Sequence, residues 1–578
     1  MPAVPSNGPV PSSVPPSKKE TCTSSNTLLG INKREKNMEF LAGVFVLVGF
    51  STLVDAQIQK PNIVVIVADD LGWNDVGYHG SNQIPTPNID ALAFSGVILN
   101  NYYVAPICTP SRSALMTGKY PIHTGMQHSV LMGAEDRGLP LSEKLLPEYL
   151  KEAGYATRAV GKWHLGSWKS EYLPTSRGFD SHLGFWTGHH DYNDHTAMET
   201  RMWGLDMRRD MEVAYDLHGR HSTEVFTEEA VNIIHDHNTS RPLFLYLAHA
   251  AVHSGNPYNP ICTVDKDASL FTNITDYDRK RFAGVLKGLD DSVGHVVHAL
   301  QKKEILSNTI IIFTTDNGGP AAGFNLNAAS NWPLRGVKNT LWEGGVRGAG
   351  LIWSPLITNV SVISLQKMHI TDWLPTLLSA ASIEKVFPTP IDGIDNWAGF
   401  FGHHVGRTEV LHNIDDIYGN AALTMGDWKV IKGTTYGGEW DGWFGPSGRG
   451  DEYDPRLVVS SLAGQGAISV GQILTEESVR LMRKHAEVVC QSKEKTPCLP
   501  MESPCLFNIK LDPCEYNNLA KSYPRVLKHL MERLLELNRT AIPPGNRPIN
   551  QKGNPKYWNN VWTNFGDYDF DSVKVTVI

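Results

Sequence analysis

The sequence predicts an α/β protein: a large doubly wound, mostly parallel sheet flanked by helices, followed by a smaller C-terminal α+β domain carrying an antiparallel sheet. Three observations predict it. Apolar, β-branched runs of strand length recur between residues 61 and 353, and helical periodicity lies between them. Past about residue 413 the chain turns aromatic and Gly-rich, as short antiparallel strands and turns do. At 578 residues, 41% of them hydrophobic, the chain can bury one large core and a smaller one. The expected division is 1–37 as a disordered leader, 38–56 as a signal peptide, 57–412 as the α/β domain and 413–578 as the α+β domain.

The first 37 residues are rich in Pro and Ser, hold Lys33, Arg34 and Lys36, and lead into an apolar run at 40–54. That run is short for a membrane span but suits the core of a signal peptide, and Val54-Asp55-Ala56 puts small residues at the cleavage positions. A mature chain beginning near Gln57, with no stable membrane span, is expected. Met38 directly precedes the run and is an alternative start, which would make the leader an upstream extension; an uncleaved signal anchor is the competing reading. Sequons at Asn238, Asn273, Asn359 and Asn538 agree with a secretory route, ending in the lysosome or outside the cell. The net charge of -8 argues against a nucleic-acid or other general polyanion binder, so an anionic substrate would need a local cationic pocket.

The first strand is expected at 61–68, a continuous β-branched run suited to burial on both faces of a parallel sheet. It ends in Asp69-Asp70, two carboxylates at the carboxyl end of a strand, where open α/β sheets place ligands and where a cation must separate them. A turn-capping Asp pair is the plainer alternative. A helix at 145–153 and a strand at 156–160 lead to Lys162 and His164, spaced to share a face. Segment 188–195, dense in histidine, reads as a surface loop, with a pocket rim or a second metal site as alternatives.

Helical spacing at 221–237 precedes a strand at 243–248, which delivers His249 and His253. A long amphipathic helix is expected at 277–303 and a further strand at 309–315, which ends in Asp316-Asn317-Gly318-Gly319. A Gly-rich loop at 334–347 then supplies cations, Lys338 among them, before a strand at 349–353. Beyond it the small domain closes with a helix at 524–538, and the interval 446–498 shows no readable pattern. Of the seven cysteines, Cys22 lies in the leader. Cys262, Cys490, Cys498, Cys505 and Cys514 are an odd number of disulfide candidates, leaving one thiol over. Cys505 and Cys514, bracketing 506–509, are the expected bridge; a zinc site is disfavoured, since no CxxC pair or His pattern accompanies them.

Asp69, Asp70, Asp316 and Asn317 form an all-oxygen donor set, which selects a hard divalent cation, Ca²⁺ or Mg²⁺, over Zn²⁺. The remaining stretch is Cys108-Thr109-Pro110-Ser111-Arg112, extended by Ser113-Ala114-Leu115-Met116-Thr117-Gly118. It resembles the signature of the sulfatase family, and with 161–166, 316–319 and 331–347 it is most similar to the arylsulfatase B branch (N-acetylgalactosamine-4-sulfatase-like). The resemblance implies that Cys108 is oxidised by a formylglycine-generating enzyme to an aldehyde whose hydrate attacks sulfate esters. It implies that Asp69, Asp70, Asp316, Asn317 and the formylglycine oxygen hold Ca²⁺, and that Arg112, Lys162, His253 and Lys338 bind the substrate's sulfate. His253, or Lys338 beside it, would protonate the leaving alcohol. His164 would take the proton whose loss expels sulfate.

The implied substrate is a sulfated sugar of a glycosaminoglycan-like glycan. Where that branch carries paired cysteines soon after the signature, this chain has Leu131-Met132-Gly133-Ala134-Glu135-Asp136-Arg137. Two other functions compete. A phosphoester hydrolase of the same alkaline-phosphatase-like superfamily would use Ser or Thr as nucleophile with His-rich two-metal ligation. A sulfated-glycan-binding protein would keep Cys108 unoxidised.

Overall fold

The computed structural model describes residues 59–403, 406–445, 447–490 and 496–570, so the expected leader and signal peptide lie outside the described residues. Strand Asn62–Ala68 runs between parallel neighbours Leu243–Ala248 and Thr309–Thr315, and all three are buried along their whole length. That double burial accounts for their unbroken apolar sequences. Alternate residues serve opposite cores: Val64, Ile66 and Ala68 face one, Ile63, Val65 and Val67 the other.

Ala156–Lys162 and Ser181–Phe185 continue the sheet in parallel beyond Leu243–Ala248. On the other side Gly350–Trp353 joins Thr309–Thr315 antiparallel, and Val97–Leu99 and Val362–Ser364 complete that edge. With the short strands Arg208–Arg209 and Glu212–Val213 the sheet has ten strands. It is mostly parallel and covered on both faces, as the sequence predicts.

Helices Pro87–Ser95, Ser222–Asp236 and Tyr277–Lys302 cover one face, and Cys108–Thr117, Leu146–Glu152 and Trp373–Ala380 the other. The long helix starts at Asp276, whose side chain accepts from Arg279 N–H at 2.7 Å, and it buries Phe282, Leu286, Leu289, Val293 and Val297 along one stripe. Buried Asp290 on this helix accepts from the N–H groups of Asn88 and Ile89 at 3.0 and 2.9 Å, satisfying the open start of Pro87–Ser95. Segment 446–498 holds three helices, Pro455–Ser460, Leu462–Ser469 and Glu476–Ala486. Their Val458, Ala463, Ala467 and Val479 join the core beneath Pro87–Ser95.

The small sheet pairs Glu409–Asp415, Asn420–Met425, Trp428–Lys432 and Cys505–Asn508, all antiparallel. Helix Pro524–Asn538 lays Leu530, Leu534 and Leu537 on it. Fully buried Lys429 on this sheet stands 2.8 Å from Glu343, in the Gly-rich loop region of the large sheet, and 2.9 Å from Glu515. Among the described residues no helix is long and apolar enough to cross a membrane.

The disulfides are Cys490–Cys514 and Cys498–Cys505, which corrects the expected Cys505–Cys514 bridge. Strand pairing decides it: Cys505 faces the cluster that holds Cys498, Phe507 and Ile431, while Cys514 lies past the next turn, its carbonyl accepting from Trp443. Cys108 and Cys262 are free and buried.

Candidate active site

The parallel strands end on one side, and their ends supply the site. Asp69 and Asp70 follow Asn62–Ala68, Asp316 and Asn317 follow Thr309–Thr315, and Lys162 closes Ala156–Lys162. His253 follows Leu243–Ala248 after a short turn, and Cys108 is the first residue of helix Cys108–Thr117. Asp70 sits at φ +65 and His164 at φ +59, left-handed conformations that are uncommon outside glycine and cluster where function requires them.

Three carboxylates and three cations interlock in this space. Lys162 Nζ lies 2.6 Å from Asp69 Oδ2, and Lys338 Nζ 2.7 Å from Asp70 Oδ1. Arg112 donates through Nε to Asp316 Oδ2 at 3.0 Å, and its Nη2 lies 2.8 Å from the same oxygen. The Cys108 thiol points at Asp69 Oδ1, 3.6 Å away. All of these side chains are buried. At such low exposure the charges are tolerable only because they are matched. Burial pushes the Cys108 thiol up to about 12, with Lys162 and Lys338 acting in the opposite sense. Asp316 is raised by burial and by Asp69.

Two histidines border the cluster. His253 Nδ1 meets the Ser254 carbonyl at 2.6 Å and so carries its proton there, leaving Nε2 free to face Asp70 Oδ2 at 3.5 Å. His164 Nε2 meets the Leu131 carbonyl at 2.9 Å, and its Nδ1 is buried with no hydrogen-bond partner. Thr109 ties His164 to the Cys108 helix, donating to the His164 carbonyl at 3.2 Å and accepting from Leu131 N–H at 3.1 Å. Burial, reinforced by Lys162 and Lys338, holds both imidazoles well below the usual histidine range.

The side chains at the strand ends could hold a metal ion. Asp69, Asp70, Cys108 and His253 each offer a ligand atom within 4.8 Å of one another. Asn317 donates through Nδ2 to Asp70 Oδ1 at 2.7 Å, which leaves its Oδ1 buried without a partner, an oxygen suited to a metal. Asp316 is engaged instead by Arg112 and, at 3.2 Å, by Asp70 N–H.

The fold brings Asp69, Asp70, Cys108, Arg112, Lys162, His164, His253, Asp316, Asn317 and Lys338 together here, whereas His249 meets Ser292 of the long helix at 2.9 Å instead. Segment 188–195 is not an ordinary surface loop: His190, Asp191 and His195 are buried, and the His189 ring stacks on His253 with centroids 5.9 Å apart. The adjacent histidines were the available signal, but loop burial leaves no periodicity to read. No second metal-like group of His, Cys, Asp and Glu occurs there among the described residues.

The family model described as Sulfatase matches residues 61–383. The chain is 39% identical to arylsulfatase J of Mus musculus over 514 residues, covering 87% of this chain and 80% of that protein. It is 33% identical to N-acetylgalactosamine-6-sulfatase of Homo sapiens, over 58% of this chain and 65% of that protein. Among solved structures, Ps i-CgsB in complex with k-i-k-neocarrahexaose is similar with a TM-score of 0.65 and 27% identity, covering 84% of this chain and 94% of that one. The PsFucS1 sulfatase from Pseudoalteromonas sp. shares the fold with a TM-score of 0.60 and 24% identity, over 85% of this chain and 92% of that one.

Proposed function

This chain belongs to the sulfatase family and is a sulfuric ester hydrolase, and on that premise we propose that it removes sulfate from a sugar of a glycosaminoglycan-like glycan by way of Cys108. The observation that carries the reading is the packing of Cys108 among Arg112, Lys162 and Lys338 at the carboxylate-bearing strand ends. A sulfate monoester is always anionic, so a nucleophile reaches sulfur only where that charge is neutralised. Three buried cations beside one side chain meet that need.

Asp69, Asp70, Asp316 and Asn317 would hold Ca²⁺, with the oxygen that replaces the Cys108 sulfur. When in place, the metal and the formylglycine made from Cys108 supply positive charge against the sulfate and a nucleophilic oxygen. Arg112, Lys162 and Lys338 orient the sulfate oxygens, turning from Asp316, Asp69 and Asp70 toward the substrate. The proton for the leaving alcohol comes from the Lys338 ammonium, or from His253 Nε2 once the bound sulfate's negative charge has favoured a second proton on that ring. His164 Nδ1, buried and unpartnered, takes the proton whose loss releases sulfate. Thr109 and Leu131 keep that ring in place.

Cys108 is 2% exposed, so a formylglycine-generating enzyme would act before this helix packs. The route is secretory, to the lysosome or the outside. Asn238, Asn273 and Asn359 are exposed and Asn538 partly so, as acceptors of glycans need to be. A sugar substrate is supported by the names of the relatives, one of which is an N-acetylgalactosamine-6-sulfatase. The test is turnover of 4-methylumbelliferyl sulfate against the matching phosphate by protein from a secretory host. Cleavage of the sulfate, lost on chelation and restored by Ca²⁺, is the expected result. Preference for the phosphate would overturn it in favour of a phosphoester hydrolase.

A further inference from the structure

Three aromatic rings meet where the loop after Gly319 touches the loop after strand Trp428–Lys432. Phe324 packs edge-on against Tyr436, centroids 5.3 Å apart, and against Trp440 at 5.1 Å. They belong to none of the buried apolar clusters: Tyr436 is 48% exposed, and Phe324 and Trp440 are half-buried. Tyr436 sits at φ +52, a costly conformation for an aromatic residue. Its hydroxyl accepts from Asn339 Nδ2 at 2.8 Å, and Thr435 Oγ1 donates to the Asn339 carbonyl at 2.7 Å.

Both ends of this group are fastened to the sulfate pocket. Asn339 directly follows Lys338, and its N–H donates to the Pro106 carbonyl at 2.6 Å, two residues before Cys108. On the other side Ser254, directly after His253, donates through Oγ to the Asn325 carbonyl at 2.7 Å, next to Phe324. The rings themselves carry no charge. The cations that would meet sulfate lie deeper, and the solvent-facing rings lie outside them.

We propose that Phe324, Tyr436 and Trp440 form a sugar-binding platform at the mouth of the sulfate pocket, taking a pyranose ring of the glycan adjacent to the sulfated one. It rests on the sulfatase reading of that pocket. An uncharged aromatic face suits the apolar C–H face of a sugar ring, and continuity with Lys338 and His253 makes the occupant part of the same substrate. The hydrogen bond from Asn339 ties the rim of the Tyr436 ring to the residue directly after Lys338.

The test compares two substrates in the full-length enzyme: a tetrasaccharide with sulfated N-acetylgalactosamine at its non-reducing end, as the 4-sulfate and the 6-sulfate, and 4-methylumbelliferyl sulfate. In Tyr436→Ala, and in Phe324→Ala from the other loop, the ratio of kcat/KM for the tetrasaccharide to that for the aryl sulfate should drop roughly three- to tenfold, through KM. Tyr436→Phe, which keeps the ring, should restore much of it. A ratio held at the parental value in both alanine variants would overturn the platform while leaving the sulfatase reading intact. A parent enzyme that cleaves neither ester would overturn that reading, and the platform with it.

Discussion

Cys108, buried at the first turn of its helix with Lys162 and Lys338 nearby, remains a thiol at neutral pH because burial outweighs those cations. A thiol so placed is a poor nucleophile. On the proposed reading the residue acts through a modified form, and Cys108→Ala should bring sulfate-ester turnover to background with a stability loss of only about 1 kcal/mol. Wild-type rates in that variant would remove Cys108 from the chemistry. Asp316→Asn keeps the shape but takes away the carboxylate that Arg112 grips. We expect bound calcium to fall below one ion per chain and the rate to drop at least about a hundredfold. Unchanged metal content by elemental analysis would strike Asp316 from the ligands. At this scale the sequence was legible where a buried strand ends in acid, as at Asp69 and Asp316. Lys162 and His164 became legible only through their order along the chain, which resembles the family. The His189 stack on His253 joins two loops, and nothing local announces it.

Helix Pro87–Ser95 depends on a carboxylate from another element, since Asp290 fills its open N–H groups. Burial pushes Asp290 up to about 7, with Asp90 nearby adding to the rise. A carboxyl raised on folding binds its proton more tightly in the native state. Its contribution is complete below the unfolded value, near 4, and is lost as the pH rises through about 7. Asp290→Ala should accordingly cost more stability at pH 4.5 than at pH 7.5, measured by urea melts of both proteins at each pH. A cost that grows with pH would reverse this assignment. Elements with long periodic sequences, such as Tyr277–Lys302 and Thr309–Thr315, were predicted within a residue or so. The helices of 455–486 were not, because they are short and meet distant partners. Disulfide pairing escaped for a related reason: it follows the register of Cys505–Asn508 rather than the spacing of cysteines.

Across the molecule, the small sheet meets the catalytic one at a buried ion group, Lys429 with Glu343 and Glu515, beside apolar contacts of Trp342 and Val346 with Val410 and Phe507. Glu343 lies five residues after Lys338, so the same contact steadies the loop that carries the cation proposed to bind sulfate. Lys429→Met would take the cation from Glu515 and leave Glu343 to Arg347, 3.6 Å away, and a loss of about 3 kcal/mol is expected in chemical denaturation. A loss within about 0.5 kcal/mol of zero, the range of an ordinary surface change, would show that the group holds nothing together. The layered architecture could be read from the alternation of strand and helix, whereas this junction joins positions far apart in the chain. Cys108 is, on the proposed reading, the precursor of the reacting group. The most direct test of that reading is the mass of the Cys108 peptide from protein made in a secretory host, with aryl sulfate turnover measured on the same sample. An aldehyde at Cys108 whose abundance tracks the rate is the predicted result, and full turnover from protein carrying only the thiol would contradict it.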